Sequence, residues 1–65
     1  MPHVRIDLAA GRTPEQLREM MSAVHAAIRD SIGAADSSIT VVVTEFDKNK
    51  WQSAGETLAE RAARG

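Results

Sequence analysis

The sequence predicts an α+β fold of β-α-β order, a parallel strand pair joined by one long helix, and three observations predict it. Val4, Ile6 and Leu8 alternate with His3, Arg5 and Asp7, the period-two pattern of a strand with one buried face. Leu17, Met20, Met21, Val24, Ile28 and Ile32 then recur at helical spacing as a single apolar stripe. Finally, Ile39-Thr40-Val41-Val42-Val43-Thr44-Glu45 is dense in β-branched residues, as expected of a strand with little solvent on either face.

Taken in order, Pro2 opens the first strand, a position where a missing N–H is tolerated. Ala9-Ala10-Gly11-Arg12 breaks the alternation. Thr13-Pro14-Glu15-Gln16 is a helix start: Thr13 can cap, Pro14 suits the first helical position, and Gln16 completes a capping box. Arg18, Glu19, Ser22, Arg29 and Asp30 lie mainly off the apolar stripe, so the helix is expected to cover a sheet with one face. Gly33 offers a left-handed stop, and Ala34 to Ser38 form a short polar connection. A strand–helix–strand crossover is right-handed and leaves its strands parallel neighbours. One such unit is half a layer. Two protomers side by side form a four-stranded sheet with both helices on one face, and the opposite face is free to meet further subunits. Residues 46–55 read as a turn-rich loop, and Glu56 to Arg64 as a tail of weak helical character that packs on a neighbour. With no internal repeat or linker, residues 1–65 read as one domain.

Composition narrows the function classes. A chain of 65 residues whose only aromatics are Phe46 and Trp51 has a thin core for a monomer, and self-association is expected. There is no cysteine for a disulfide or thiolate site, and His3 and His25 lack the spacing of metal ligands. A formal charge of −1 gives no electrostatic reason to bind nucleic acid or an anionic membrane. No apolar run approaches the roughly 18 residues of a membrane span, and no signal-peptide h-region is visible, so a cytoplasmic location is the default.

The position that points to chemistry is Pro2. A small residue behind Met1 permits removal of the initiator methionine, so the mature chain is expected to begin with a free prolyl nitrogen. An α-amino group has a reference pKa of about 7.7 to 8.0, and modest burial beside cations can leave it neutral and basic. Parallel pairing puts Pro2 close to Ile39 and Thr40. Arg12 lies at the other end of the first strand, roughly 30 Å from Pro2 if about ten residues run extended. A site that uses both therefore takes its Arg12 from another subunit.

Chain length, Pro2 after Met1, Gly11-Arg12-Thr13 before a helix with Glu15-Gln16, a Val-rich strand ending Thr44-Glu45, Trp51, and Gly55-Glu56 occur in one order over almost the whole chain. In these features the chain resembles the 4-oxalocrotonate tautomerase family. The resemblance implies a cofactor-independent isomerase acting on a small carboxylate-bearing substrate, a 2-hydroxydienoate or enol acid. Pro2 would carry a proton from oxygen to carbon as general base and then acid, and Arg12 would anchor a carboxylate. Trp51 occupies the family's phenylalanine position, where its bulk would exclude water. At Thr40 the chain departs from the family, whose best-known members carry a second arginine there. Threonine supplies a hydrogen bond but no charge, and Arg5, His3, Arg61 and Arg64 are the candidate replacements. The family's hexamer, a trimer of dimers, is the expected assembly. Pro2-His3 with Asp36-Ser37-Ser38-Ile39 and Trp51-Gln52 is also similar to a subgroup with dimeric members. The alternatives to a proton shuttle are a proline nucleophile, a hydratase- or dehalogenase-like activity on unsaturated acids, and a non-catalytic oligomeric binding module.

Overall fold

The structure, a computed structural model, describes residues 1–65. Strand β1 (His3–Ala9) leads to helix α1 (Pro14–Ile32), a 3-10 turn at Asp36–Ser38, and strand β2 (Thr40–Phe46). A second 3-10 turn (Lys48–Lys50), two short strands, β3 (Gln52–Ser53) and β4 (Glu56–Thr57), and helix α2 (Leu58–Ala63) complete the chain. Strands β1 and β2 are parallel in an unbroken register from His3 opposite Thr40 to Ala9 opposite Phe46. The ladder extends at both ends: Thr40 N–H donates to Pro2 O at 3.0 Å, and Ala10 N–H donates to Phe46 O at 2.8 Å.

Helix α1 begins and ends where its capping residues dictate. The Gln16 N–H donates to the Thr13 hydroxyl at 3.1 Å, and the Thr13 N–H donates to Gln16 Oε1 at 2.9 Å, a complete capping box with Pro14 in the first turn. Gly33 closes the helix at φ 70°, with its N–H donating to Arg29 O. Along the apolar stripe Leu17, Met20, Met21, Val24 and Ile28 are half-buried, whereas Ile32 at its end is 67% exposed.

The second strand is shielded on one face only. Val41 and Val43 turn toward the helix layer and are half-buried, while Thr40, Val42 and Thr44 share an exposed face with His3, Arg5 and Asp7. A single helix covers a single side of a sheet, so shielding of the other face needs material from outside the chain. The segment read as a loop also holds more order than expected. Strands β3 and β4 form an antiparallel hairpin pairing Gln52 with Thr57 and Ser53 with Glu56. Its two-residue turn, Ala54-Gly55, has φ of 57° and 79°, the doubly left-handed geometry that matches strand twist. Strands of two residues carry no periodicity to read. Thr57 and Glu60 then make a second capping box and start α2.

The core is minimal, because only Ala9 is buried. The accessible surface is 4765 Å², against about 4,000 Å² for a compact monomer of this mass. The radius of gyration is 15.0 Å, whereas a compact chain of this length has about 11 Å. At 44 × 24 × 15 Å the chain is an elongated half-layer. No helix is long and apolar enough to cross a membrane.

Candidate active site

The four residues singled out by sequence fall into two places. Pro2 and Thr40 meet at the start of the sheet, where Pro2 O accepts the Thr40 N–H at 3.0 Å. Pro2 is half-buried, Met1 before it is fully exposed, and Thr40 is exposed on the uncovered face beside His3. The turn ahead of β2 fixes Thr40: Ser38 N–H donates to Ala35 O at 2.9 Å and Ile39 N–H to Asp36 O at 3.3 Å. That turn is tied in its turn to α1. Asp36 Oδ1 lies 2.7 Å from His25 Nε2 and 3.6 Å from Arg29 Nη1. The His25 hydrogen bond, followed by the Arg29 charge, holds the Asp36 carboxyl below its ordinary range despite some desolvation.

Arg12 and Trp51 meet at the other end. Gly11 at φ 133° adopts a conformation that side chains disfavour, and this turn carries Arg12 back over β1, where Nη1 donates to Ala9 O at 3.2 Å. Trp51 is held by its carbonyl, which accepts the Leu58 N–H at 3.0 Å, and by an edge-on Phe46 ring 6.0 Å away. Between them opens a groove of about 520 Å³ lined by Arg12, Trp51 and Leu58, with Asp7, Lys48 and Arg61 as its other charged members. A second groove, of about 490 Å³, runs between α1 and β2 past Arg18, His25 and Arg29 and contains none of the four candidates.

The cations considered as substitutes for an arginine at position 40 are accounted for. Arg64 binds both Glu56 oxygens at 2.6 Å, and Arg61 Nε reaches Glu56 Oε1 at 3.2 Å. These two arginines, Arg64 foremost, hold the Glu56 carboxyl below its ordinary range. His3 and Arg5 stand on the exposed sheet face. Lys48, which sequence reasoning passed over, lines the Arg12–Trp51 groove. No sequence pattern separates it from Lys50 in the same turn.

Seven strand residues lie between the two places, so Pro2 and the Arg12 groove are separated by more than about 20 Å. One chain supplies a proline-bearing end and a cationic, aromatic-walled end. It does not bring them together.

Comparison with known proteins agrees with this architecture. The family described as tautomerase enzyme matches residues 2–61. The chain is 33% identical over 60 residues to the 2-hydroxymuconate tautomerase of Bacillus subtilis, covering 92% of this chain and 97% of that protein. Its fold superposes with a TM-score of 0.92 on TomN, a 4-oxalocrotonate tautomerase homologue of the tomaymycin biosynthetic pathway, at 31% identity and 95% coverage of each chain. It also matches a heterohexamer 4-oxalocrotonate tautomerase from Chloroflexus aurantiacus with a TM-score of 0.89 and 27% identity, covering 92% of this chain and 97% of that one. The β-α-β order, the parallel strand pair and these likenesses lead to one conclusion: the chain belongs to the tautomerase family, in its 4-oxalocrotonate tautomerase group, and is an isomerase.

Proposed function

We propose that the enzyme ketonises a small enol acid without a cofactor, with the Pro2 nitrogen, freed by loss of Met1, taking a proton from the enol oxygen and returning it to carbon. The observation that carries this reading is the placement of Pro2. Its carbonyl accepts the Thr40 N–H at 3.0 Å, and Pro2 itself is half-buried directly behind a fully exposed Met1. A neutral amine is required for the first step, so the rate rises as the prolyl ammonium loses its proton. Arg12 of another chain anchors a substrate carboxylate, and Trp51 excludes water from that end of the pocket. Thr40 adds a neutral hydrogen bond where a second arginine would add charge.

The separation of the two ends favours an oligomer. In the proposed assembly two protomers pair into a four-stranded sheet, the exposed sheet faces pack together, and a Pro2 end of one chain meets an Arg12 end of another. A trimer of dimers is the arrangement favoured, with a dimer as the alternative. The open sheet face, the expanded dimensions and the heterohexamer named for the Chloroflexus aurantiacus relative support this.

The test follows ketonisation of 2-hydroxymuconate and phenylenolpyruvate by ultraviolet absorbance. A mature Pro2→Ala protein, which replaces the secondary amine with a primary one, is expected to lose about 10²- to 10⁴-fold in rate, and an N-acetylated wild-type protein to lose the same or more. Near-wild-type turnover by the acetylated protein would show that the amine is not the base. Borohydride trapping of a substrate adduct on Pro2 would replace proton transfer with nucleophilic catalysis.

A further inference from the structure

We infer that Lys48 is a specificity residue: its ammonium and the Arg12 guanidinium form a two-cation clamp for a substrate carboxylate remote from the reacting enol. The clamp's place in a reaction rests on the proposed function above. Its anion affinity rests on the groove alone.

The charges around the groove are unbalanced. Asp7 contributes one negative charge, and Arg12, Lys48 and Arg61 contribute three positive ones, a local excess of two. Arg61 is already engaged, since its guanidinium donates to Glu56 Oε1 at 3.2 Å and to Ser53 O at 3.4 Å. Arg12 gives one N–H to Ala9 O and forms no ion pair. Lys48 forms neither an ion pair nor a side-chain hydrogen bond, so its three donors are free.

The backbone beneath Lys48 is fixed. Asp47 caps the 3-10 turn by accepting the Asn49 N–H at 2.8 Å, and Lys50 N–H donates to Asp47 O at 2.8 Å. The turn thereby holds the lysine stem at the groove while Lys50, two residues on, lies outside it. Trp51 and Leu58 form the apolar walls, which strengthen a charge-assisted bond by keeping water away. At the far end of the sheet Thr40 offers no charge. Carboxylate recognition is therefore concentrated at the Arg12–Lys48 end, and the fitting substrate is an acid with a carboxylate distant from its enol.

The test uses full-length mature protein in four forms: wild type, Lys48→Gln, Lys48→Arg and Lys50→Gln. For 2-hydroxymuconate, which has a remote carboxylate, K48Q is expected to raise KM roughly tenfold with kcat within about twofold, the signature of a lost charged hydrogen bond used equally throughout the reaction. K48R and K50Q should stay near wild type. For phenylenolpyruvate, whose carboxylate adjoins the enol, K48Q should leave KM unchanged. Calorimetric titration with adipate, a diacid with no enol, reads the clamp without turnover, and K48Q should weaken it by the same factor. Lys48-dependent adipate binding in a protein that turns over no enol acid would keep the clamp and remove the proposed reaction. Equal losses in K48Q and K50Q, or no change in either KM or adipate affinity with K48Q, would overturn the clamp.

Discussion

Under the proposed function Thr40 sets the chemical character of the Pro2 end. Its backbone is committed to Pro2 through a 3.0 Å hydrogen bond, while its side chain is exposed and uncharged. An arginine there would bring a cation to the substrate atoms on which charge develops, and charge-assisted bonds are about twice as strong as neutral ones. Thr40→Arg is therefore expected to raise kcat/KM for 2-hydroxymuconate by about tenfold over wild type. Steady-state ultraviolet assays check this, and an unchanged or lower value would show that position 40 does not face the reacting end. Pro2 stands out in the sequence by its place behind Met1, and Arg12, Thr40 and Trp51 by the family resemblance. Lys48 does not, because only the groove distinguishes it from Lys50.

Helix α1 and the turns around it are locally written. Thr13, Gln16 and Gly33 each satisfy backbone groups within a few residues of themselves, and Pro14 removes an N–H that would have no partner, which is why the helix boundaries are legible. The cross-links between elements are not local. His25 and Arg29 on α1 reach Asp36 before β2, and Arg64 and Arg61 at the C-terminal end reach Glu56 on β4. These partners lower the Asp36 and Glu56 pKa values in the folded chain. A carboxyl with a lower folded than unfolded pKa adds stability that is present above its unfolded value, about 4, and is lost as pH falls through the folded value. Wild-type protein should thus melt at progressively lower temperature below about pH 4. Asp36→Asn combined with Glu56→Gln should lower the neutral-pH midpoint and flatten the acid slope, as read by circular dichroism melts at fixed protein concentration. An acid slope equal to wild type in the double variant would assign the loss to other carboxyls. The hairpin of β3 and β4 escaped the sequence because its pairs are too short for periodicity, and Ala54 takes a left-handed φ that glycine or asparagine would normally announce.

One buried residue in 65 and a radius of gyration of 15.0 Å describe half of a layer. Under the proposed assembly each site takes Pro2 from one chain and Arg12 from another. Homomers of Pro2→Ala and of Arg12→Ala should each be nearly inactive, yet subunits mixed by unfolding and refolding together should recover activity. Random assembly gives about one site in four both wild-type residues. Recovery near that fraction, measured by the 2-hydroxymuconate assay, supports a shared site, whereas no recovery in verified mixed oligomers would place the site within one chain.

Periodicity and capping within a few positions make the β-α-β order and the limits of α1 legible in the chain alone, whereas Arg12, Thr40 and Trp51 are marked as candidates by the family resemblance. Tertiary structure decided their company: Pro2 with Thr40 at one end of the strand pair, and Arg12 with Trp51 and Lys48 at the other. Strand register and the return of residues 47–62 over the end of β1 join segments distant along the chain. No local window contains both sides of such a contact, and only the folded backbone supplies the second.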